Sequence, residues 1–185
     1  MGKSKGTSAI SVREYIRDTY GQEGLERVMA AVDPETARML DNVMPISWVP
    51  ADKIREFYRI ANKLLGDGTT ALYRRIGAAN AERDLPRFFK SLLALAGPEM
   101  VFGMFGMVWK MYYDTGQIKV IKKEPGFIAV EIKGFEDAGE EFCEDLCGYC
   151  ETLLALIKLK NPRLTHTRCA GRGDESCIFE GRWDE

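Results

Sequence analysis

A chain of 185 residues is long enough for one domain with a substantial core. Hydrophobic residues make up 45% of it and charged residues 29%, which excludes a disordered or fibrous protein. The net charge of -2 provides no strong positive field, so direct binding of nucleic acid is not expected. The first residues lack the apolar run of a secretory signal, which predicts a cytoplasmic location.

The N-terminal part of the sequence is predicted to be helical. Residues 1–9 are expected to form a flexible end, and residues 10–185 a single domain with a helical part, 10–114, and a ββαββ part, 115–185. Ser11 is suited to cap a first helix over residues 12–20, which Gly21 ends. Further helices are predicted over residues 22–32, from Pro34, over 51–65, from Thr69 or Thr70 to 81, over 85–96 and, after Gly97-Pro98, to 114.

After Gly116 the hydrophobic period changes from helical spacing to alternation. A hairpin is predicted around Glu124-Pro125-Gly126, followed by a helix over residues 137–160 and by strands over 163–169 and 177–183. The acidic pairs of that helix, such as Glu144-Asp145, are expected to face solvent. The predicted fold class is therefore α+β, with N-terminal helices followed by ββαββ and an antiparallel sheet flanked by helices.

The strongest chemical signal lies near the C terminus. Cys169 and Cys177 flank a glycine-rich turn, so a hairpin would bring their thiols together. His166 is the sole histidine and the natural imidazole ligand of a group of four. It lies three residues before Cys169, so both can bind one ion if the strand bulges or ends between them.

A fourth ligand is available from the helix upstream. Cys143, Cys147 and Cys150 are spaced at i, i+4 and i+7, which places all three thiols on one helix face. Three thiolates and one imidazole suit a structural zinc ion. The predicted metal ligands are Cys143, His166, Cys169 and Cys177, with Cys147 or Cys150 open as replacements for Cys143. Buried free cysteines and a disulfide across the hairpin stay open as alternatives.

The second signal is an apolar stretch from Met100 to Tyr113, in which methionines recur at helical spacing among aromatic residues. A helix that is apolar on nearly every side packs centrally, lies at an oligomer interface or lines an apolar cavity. Lys110 and the Gly97-Pro98-Glu99 segment argue against a membrane span. The predicted pocket residues are Met104, Phe105, Met107, Val108, Trp109, Met111 and Tyr112.

The segments GEEFCEDLCGYC and CAGRGDESCIFEGRW, with 26 positions from Cys143 to Cys169, resemble the C-terminal half of the 4-vinyl-reductase-type small-molecule-binding domain. The resemblance covers residues 115–185. That family includes sensor domains of aromatic-responsive activators and proteins linked to bacteriochlorophyll synthesis. The resemblance implies zinc ligands at Cys143, Cys169 and Cys177, with His166 at the position of a family glutamate. It also implies a fold that often dimerises and encloses an apolar pocket.

These observations predict a cytosolic, zinc-stabilised sensory domain that binds a hydrophobic or aromatic small molecule. A homodimer is expected, without direct nucleic-acid binding or a membrane span. Enzymatic activity is not predicted, because the sequence has no catalytic constellation and no nucleotide-binding glycine fingerprint. Two alternatives are an enzyme or accessory protein in tetrapyrrole or vinyl reduction, which the family name alone favours, and a dimeric scaffold that assembles through the apolar helix.

Overall fold

The computed structural model of the protein describes residues 2–84, 87–135 and 138–184, without the side chains of residues 84–97. The helices are α1 (Gly6–Ala31), α2 (Pro34–Asn42), α3 (Ala51–Leu65), α4 (Ala71–Asp84), α5 (Arg87–Tyr112) and α6 (Glu140–Leu156). The strands are β1 (Lys3–Lys5), β2 (Trp48–Pro50), β3 (Gln117–Glu124), β4 (Phe127–Lys133), β5 (Lys160–Arg168) and β6 (Cys177–Asp184). The predicted starts of two helices, at Leu85 and Asp137, lie outside the described residues.

The C-terminal half is a four-stranded antiparallel sheet in the order β3-β4-β6-β5. Its chain order is ββαββ, because α6 connects the hairpin of β3 and β4 to the hairpin of β5 and β6. Gly126 has a φ of 67° in the turn between β3 and β4, a conformation that glycine adopts readily. The predicted α+β class and its ββαββ order are confirmed.

The N-terminal half is built on α1 to α4, whose apolar faces meet in one core that includes Val12, Ile16 and Phe57. The first helix begins at Gly6 and runs to Ala31, with non-helical backbone at Gly21, where the sequence predicts a break. Residues 3–5 form β1, which pairs with β2, where the sequence predicts a flexible end. The difference arises because the pairing partner of β1 lies more than 40 residues away in the chain.

Helix α5 is continuous across Gly97-Pro98, where the sequence predicts a boundary between two helices. Proline removes one backbone hydrogen bond but does not always end a helix, since packing can hold the segments on either side. The buried side chains of Val101 and Phe102, about one helical turn after the proline, supply such packing. Among the described residues, no helix combines the length and the apolarity needed to cross a membrane.

The two halves are joined where α4 crosses α6. A Cβ atom on Gly77 would lie 1.8 Å from the backbone oxygen of Asp145, and one on Gly148 would lie 1.9 Å from that of Arg74. The two helix backbones therefore touch, and only glycine fits at these positions. This crossing sets the position and the rotation of α6, which carries much of the site described next.

Candidate functional site

The clearest candidate site is a cluster of sulfur and nitrogen atoms between α6 and the hairpin of β5 and β6. Cys143 comes from the first turn of α6, His166 from β5, Cys169 from the residue after β5 and Cys177 from the first residue of β6. Their ligand atoms all lie within 4.8 Å of one another, and the three cysteines are fully buried. The four residues predicted as metal ligands are thus brought together.

The backbone of β5 has the irregularity that a shared site requires. His166 pairs with Phe179 and Arg168 pairs with Ile178, so the register shifts between them, and β5 ends at Arg168. Residues three apart in a regular strand point to opposite faces of the sheet. The shift and the strand end bring Cys169 to the same side as His166.

The turn between β5 and β6 holds the two hairpin cysteines in place. The backbone N–H of Cys169 donates to the carboxylate of Asp174 over 2.7 Å, and the carbonyl of Cys169 accepts the Asp174 N–H over 3.2 Å. The N–H of Ala170 donates to the Sγ of Cys177 over 3.4 Å. Gly173 completes the turn with a φ of 98°. Backbone hydrogen bonds therefore fix the spacing of both thiols.

His166 is oriented by stacking on Phe179. The two ring centroids are 4.8 Å apart and the ring planes differ by 15°. Among the described residues, the Nε2 atom of His166 is buried and has no hydrogen-bond partner. Buried polar atoms are nearly always satisfied, so this unsatisfied imidazole nitrogen is consistent with a ligand position.

The pKa values of the three thiols in the cluster are shifted in different directions. The pKa of Cys177 is lowered, first because the Cys143 thiol donates a hydrogen bond to it over 3.8 Å, and also by the His166 ring and the Ala170 N–H. The same hydrogen bond, together with burial, raises the pKa of Cys143, and burial raises the pKa of Cys169. These directions favour the thiolate form at Cys177 over the other two cysteines, whose protons a bound cation would displace.

The remaining cysteines of α6 lie outside the cluster. Cys147 is fully buried near Arg74, and burial raises the pKa of its thiol. Cys150 lies in the wall of the cavity described below, and burial raises its pKa to about 12. Both are protonated thiols, and Cys143 is the α6 cysteine that joins the cluster.

A cavity of about 190 Å³ lies between the helical half and the sheet. Helices α1, α3, α4, α5 and α6 and strands β3 to β6 all contribute to its wall, which is mainly apolar and aromatic. Trp109 lies in this wall, with its ring centroid 5.4 Å from that of Phe135 and its Nε1 donating to the carbonyl of Thr115. Phe179 is in the wall as well and stacks on His166, so it contacts both the cavity and the cluster of cysteines and histidine.

The predicted pocket is divided between the two sides of α5. Four of its residues line the cavity: Phe105, Val108, Trp109 and Tyr112. The three methionines are not among the described lining residues: Met104, Met107 and Met111. Met107 and Met111 are instead more than half exposed. Because α5 is apolar on both sides, hydrophobic periodicity alone does not indicate which side faces the core.

One corner of the cavity is polar. Thr7 and Ser11 of α1 and Asn80 of α4 lie there, and Ser11 and Asn80 are 4% and 6% exposed. Among the described residues, Asn80 Oδ1 and Thr7 Oγ1 are buried without a hydrogen-bond partner. Buried polar atoms of this kind suit an ordered water or a polar group of a bound molecule.

Polar bonds hold α6 against α3. Arg55 Nε donates to Glu141 over 2.9 Å, and the Tyr58 hydroxyl donates to Asp145 over 2.7 Å. The side chain of Glu141 is only 7% exposed. The expectation that the acidic pairs of this helix face solvent is therefore wrong for Glu141 and Asp145, because α3 supplies partners that a single helix pattern does not reveal.

A second set of bonds joins α6 to α4 and to β5. Arg74 of α4 donates to Glu144 and to Glu151, each over 3.0 Å, and to the carbonyl of Leu164 over 3.2 Å. The Glu151 carboxylate also accepts the N–H of Leu164 over 2.8 Å. Sequence reasoning missed these contacts, since nothing in the spacing of Glu144 and Glu151 indicates that an arginine 70 and 77 positions away binds both acids.

No family model and no curated protein matches the sequence, but solved structures match the fold. An Fe(II) unliganded H-NOX protein from K. algicida matches with a TM-score of 0.74 at 13% identity, over 98% of this chain and 97% of that one. An S. oneidensis H-NOX protein in the Fe(II)NO state matches with a TM-score of 0.72 at 12% identity, over 98% and 99%. This chain has the H-NOX fold. An oxygen-binding H-NOX domain related to soluble guanylate cyclases matches with a TM-score of 0.66 at 15% identity, over 98% and 95%.

The H-NOX fold corrects the family assignment. The resemblance to 4-vinyl-reductase-type domains is wrong, because the structures that match over almost the whole chain are H-NOX domains. The function derived with it, a zinc-stabilised sensor of hydrophobic or aromatic ligands, is wrong for the same reason, and neither tetrapyrrole reduction nor a scaffold role fits better. The cysteine spacing describes a helix and a hairpin, which unrelated families can share.

The expected cofactor needs the same correction. Zinc was predicted as the structural ion, whereas the similar structures are described with haem or Fe(II). The four side chains that were predicted as ligands are nevertheless close together in the structure.

Proposed function

We propose that this chain is a regulatory sensor domain with the H-NOX fold whose metal ion is bound by Cys143, His166, Cys169 and Cys177, called the cage below. The convergence of four ligand atoms within 4.8 Å carries the proposal. A sensory role is supported by proteins of the same fold, which are described as complexes with oxygen and with NO at Fe(II). Five free cysteines suit a reducing compartment, so the proposed location is the cytoplasm.

The spacing of the sulfur atoms supports an ion. The Sγ atoms of Cys143 and Cys177 are 3.8 Å apart. Thiolates bind a tetrahedral ion at about 2.3 Å, and a tetrahedron of that radius has an edge of about 3.8 Å. A disulfide would need about 2.05 Å between the sulfur atoms. The pair is therefore spaced as two ligands of one ion and not as a bridge.

The donor set indicates the class of ion. Three sulfur atoms and one imidazole nitrogen favour a thiophilic d-block ion over magnesium or calcium, which prefer oxygen. Four protein ligands complete a tetrahedron and leave no open position for a substrate. The ion would thus stabilise the fold by joining Cys143 of α6 to the hairpin of β5 and β6.

The cavity does not fit a haem held by histidine. Haem iron in proteins takes an axial ligand from histidine, cysteine, methionine or tyrosine. The sole histidine, His166, belongs to the cage. The other donors of the cavity wall are the Cys150 thiol and tyrosine hydroxyls such as that of Tyr113, and burial raises the pKa of Cys150 to about 12 and also raises that of Tyr113, so each would have to lose a proton to bind iron. The volume of about 190 Å³ is also below the roughly 300–1,000 Å³ of typical pockets for drug-sized ligands.

Helix α6 provides a path from the cage to the rest of the domain. Cys143 lies between Glu141 and Asp145, which bond to Arg55 and Tyr58 of α3. An ion in the cage would fix the first two turns of α6 and, with them, these bonds between the two halves. Loss of the ion or oxidation of its ligands would release α6, and we assign the regulatory output to this change in packing.

Metal analysis of the full chain tests the proposal. The purified protein is expected to hold one equivalent of a d-block metal. After removal of that metal, Co²⁺ is expected to give thiolate-to-cobalt charge-transfer absorption and the d–d bands of a tetrahedral site. Cys169→Ser should abolish both signals. Cys150→Ser is the matched control and should retain them, because Cys150 lies outside the cage. A metal-free protein, or equal loss in both variants, would contradict the proposal.

The fold itself favours one other function, gas sensing at a haem that another residue holds. Titration with hemin distinguishes the two. A saturable Soret band at one equivalent that is lost in Tyr113→Phe or Cys150→Ser would support haem in the cavity, since both residues lie in its wall. A titration without saturation would argue against haem in the cavity.

A further inference from the structure

Helix α5 presents a second apolar face, on the side away from the cavity. Met100, Met107 and Met111 are each 56–58% exposed, whereas Val101 and Trp109 are each 4% exposed. Helices that are apolar on both sides are normally covered on both sides. Exposed methionines are typical of surfaces that bind another helix, because the flexible thioether adapts to its partner. The face therefore has the character of an interaction surface.

The spacing of the methionines indicates the shape of the partner. Met100, Met104, Met107 and Met111 follow one another at intervals of four, three and four residues, and are called the seam below. These intervals match the d and a positions of a coiled coil. Because such positions recur every 3.5 residues on average, they form one stripe along the helix that faces a second helix. The seam is about 16 Å long at 1.5 Å per residue. Its partner is therefore a helix and not a flat surface or a strand.

We infer that the seam binds the seam of a second copy of this chain, with the two α5 helices antiparallel. With a two-fold axis between Met104 and Met107, Met100 lies opposite the partner subunit's Met111, and Met104 lies opposite the partner subunit's Met107. All four layers then pair methionine with methionine. A two-fold interface of this kind needs one self-complementary patch, and the seam meets that requirement.

Charge selects the antiparallel arrangement. Lys110 and Glu99 are exposed near opposite ends of the seam, and Glu99 also pairs with Lys123 of its own chain. Antiparallel helices in this register bring Lys110 to within about 3 Å, measured along the axis, of the level of the partner subunit's Glu99. Parallel helices in register would instead separate Lys110 from the partner subunit's Glu99 by about 16 Å along the axis, so this pair would not form.

Space beside the seam allows a close approach. Gly103 is exposed, and a Cβ atom added there would meet nothing within 4 Å. This notch stands next to Met104 and Met107 and leaves room for the side chains of a second helix. The small area of the seam makes the contact weak compared with permanent dimers, which bury at least about 2,000 Å² in total.

The neighbouring edge strand β3 is unsuited to pair with β3 of a second copy, so it does not compete with α5 for the contact between copies. It is an edge strand, but it carries exposed lysines such as Lys119 and has a register shift between Val120 and Lys122. Lysines and bulges are devices that prevent edge-to-edge pairing of sheets. The contact between copies is thus assigned to the helix and not to the sheet.

Sedimentation velocity of the full chain over a range of concentrations tests the inference. The wild-type protein is expected to show a reversible monomer–dimer equilibrium. Met107→Lys should weaken dimerisation at least tenfold without lowering the melting temperature, because the side chain is largely exposed. The control is Ile46→Lys, at an apolar residue that is 77% exposed outside the seam, and it should leave the equilibrium unchanged. A monomer at every concentration, or equal weakening by both variants, would overturn the inference.

Cross-linking tests the direction of the helices. A mixture of Met104→Cys and Met107→Cys chains is expected to form a covalent dimer faster than either variant alone, with the wild-type protein as the background for its native cysteines. Faster cross-linking of Met104→Cys with itself would indicate parallel helices and overturn the antiparallel arrangement. Neither experiment depends on metal in the cage, so failure of the seam and failure of the proposed function are distinguishable.

Discussion

The cage and the cavity share Phe179 and α6 but differ in what their polar atoms can do. In the cage, a ring nitrogen of His166 and three sulfur atoms lie within 4.8 Å of one another. In the cavity, the unsatisfied atoms of Asn80 and Thr7 occupy one corner of a wall that is otherwise mainly apolar. The H-NOX fold thus provides the place for a cavity, while the side chains of this sequence bring four potential metal ligands together beside it.

The largest effect is expected when the cage loses its α6 ligand. Cys143→Ser should release the metal and lower the free energy of unfolding by about 5 kcal/mol, a fraction of what structural ions contribute in small domains. Denaturant unfolding with metal analysis of the same samples measures both quantities. Cys150→Ser is the control and should keep the metal. Full metal retention in Cys143→Ser would show that the cage does not use α6.

A cavity variant should be destabilised without loss of metal. Trp109→Ala removes a buried ring that contacts Tyr113, Phe135 and Phe142, together with the hydrogen bond to Thr115. The expected cost is about 4 kcal/mol, as for other large-to-small substitutions in cores. Metal content should stay at one equivalent. Release of metal by this variant would mean that the cage and the cavity are not separate sites.

The contacts between α4 and α6 should have a smaller effect. Arg74→Met leaves the carboxylates of Glu144 and Glu151 without their shared cation. The expected cost is about 2 kcal/mol, less than for a fully buried pair because Arg74 is one-third exposed. Arg182→Met, which removes an exposed pair with Glu180, should change stability by less than about 0.5 kcal/mol. If both variants lowered the unfolding free energy equally, the contacts of Arg74 with α6 would not connect the two halves as proposed.

The smallest effect is expected from exchanging one ligand type for another. His166→Cys should keep one equivalent of metal and change the unfolding free energy by less than about 1 kcal/mol, since a thiolate can replace the imidazole. The cobalt spectrum should gain charge-transfer intensity from a fourth sulfur. His166→Ala offers no ligand and should lose the metal. The same metal content in both variants would exclude residue 166 as a ligand.

The parts of the cage that lie close together in the chain were predictable from sequence, and the parts that depend on distant contacts were not. Cys169 and Cys177 flank one glycine turn, so their approach follows from the hairpin alone. The choice among the three cysteines of α6 was not predictable. It depends on the rotation of α6, which the crossing at Gly77 and Gly148 fixes through contacts about 70 residues apart in the chain.

The cavity was less predictable because its wall is assembled from distant segments. Periodicity identified α5 as an unusual helix but assigned Met107 and Met111 to the pocket, although both lie on the exposed side. The polar corner at Thr7 and Asn80 requires α1 and α4 to meet, which no local pattern reveals. The ββαββ order was predictable since each of its turns has a local signal, whereas the H-NOX fold is a property of the whole chain.

The most direct test of the metal assignment is native mass spectrometry of the full chain, purified from cells that are supplied with both trace metals and a haem precursor. The account predicts a species with one d-block ion per chain and no haem, and loss of that ion in Cys169→Ser. A species that carries one haem per chain, with metal content unaffected by Cys169→Ser, would contradict it.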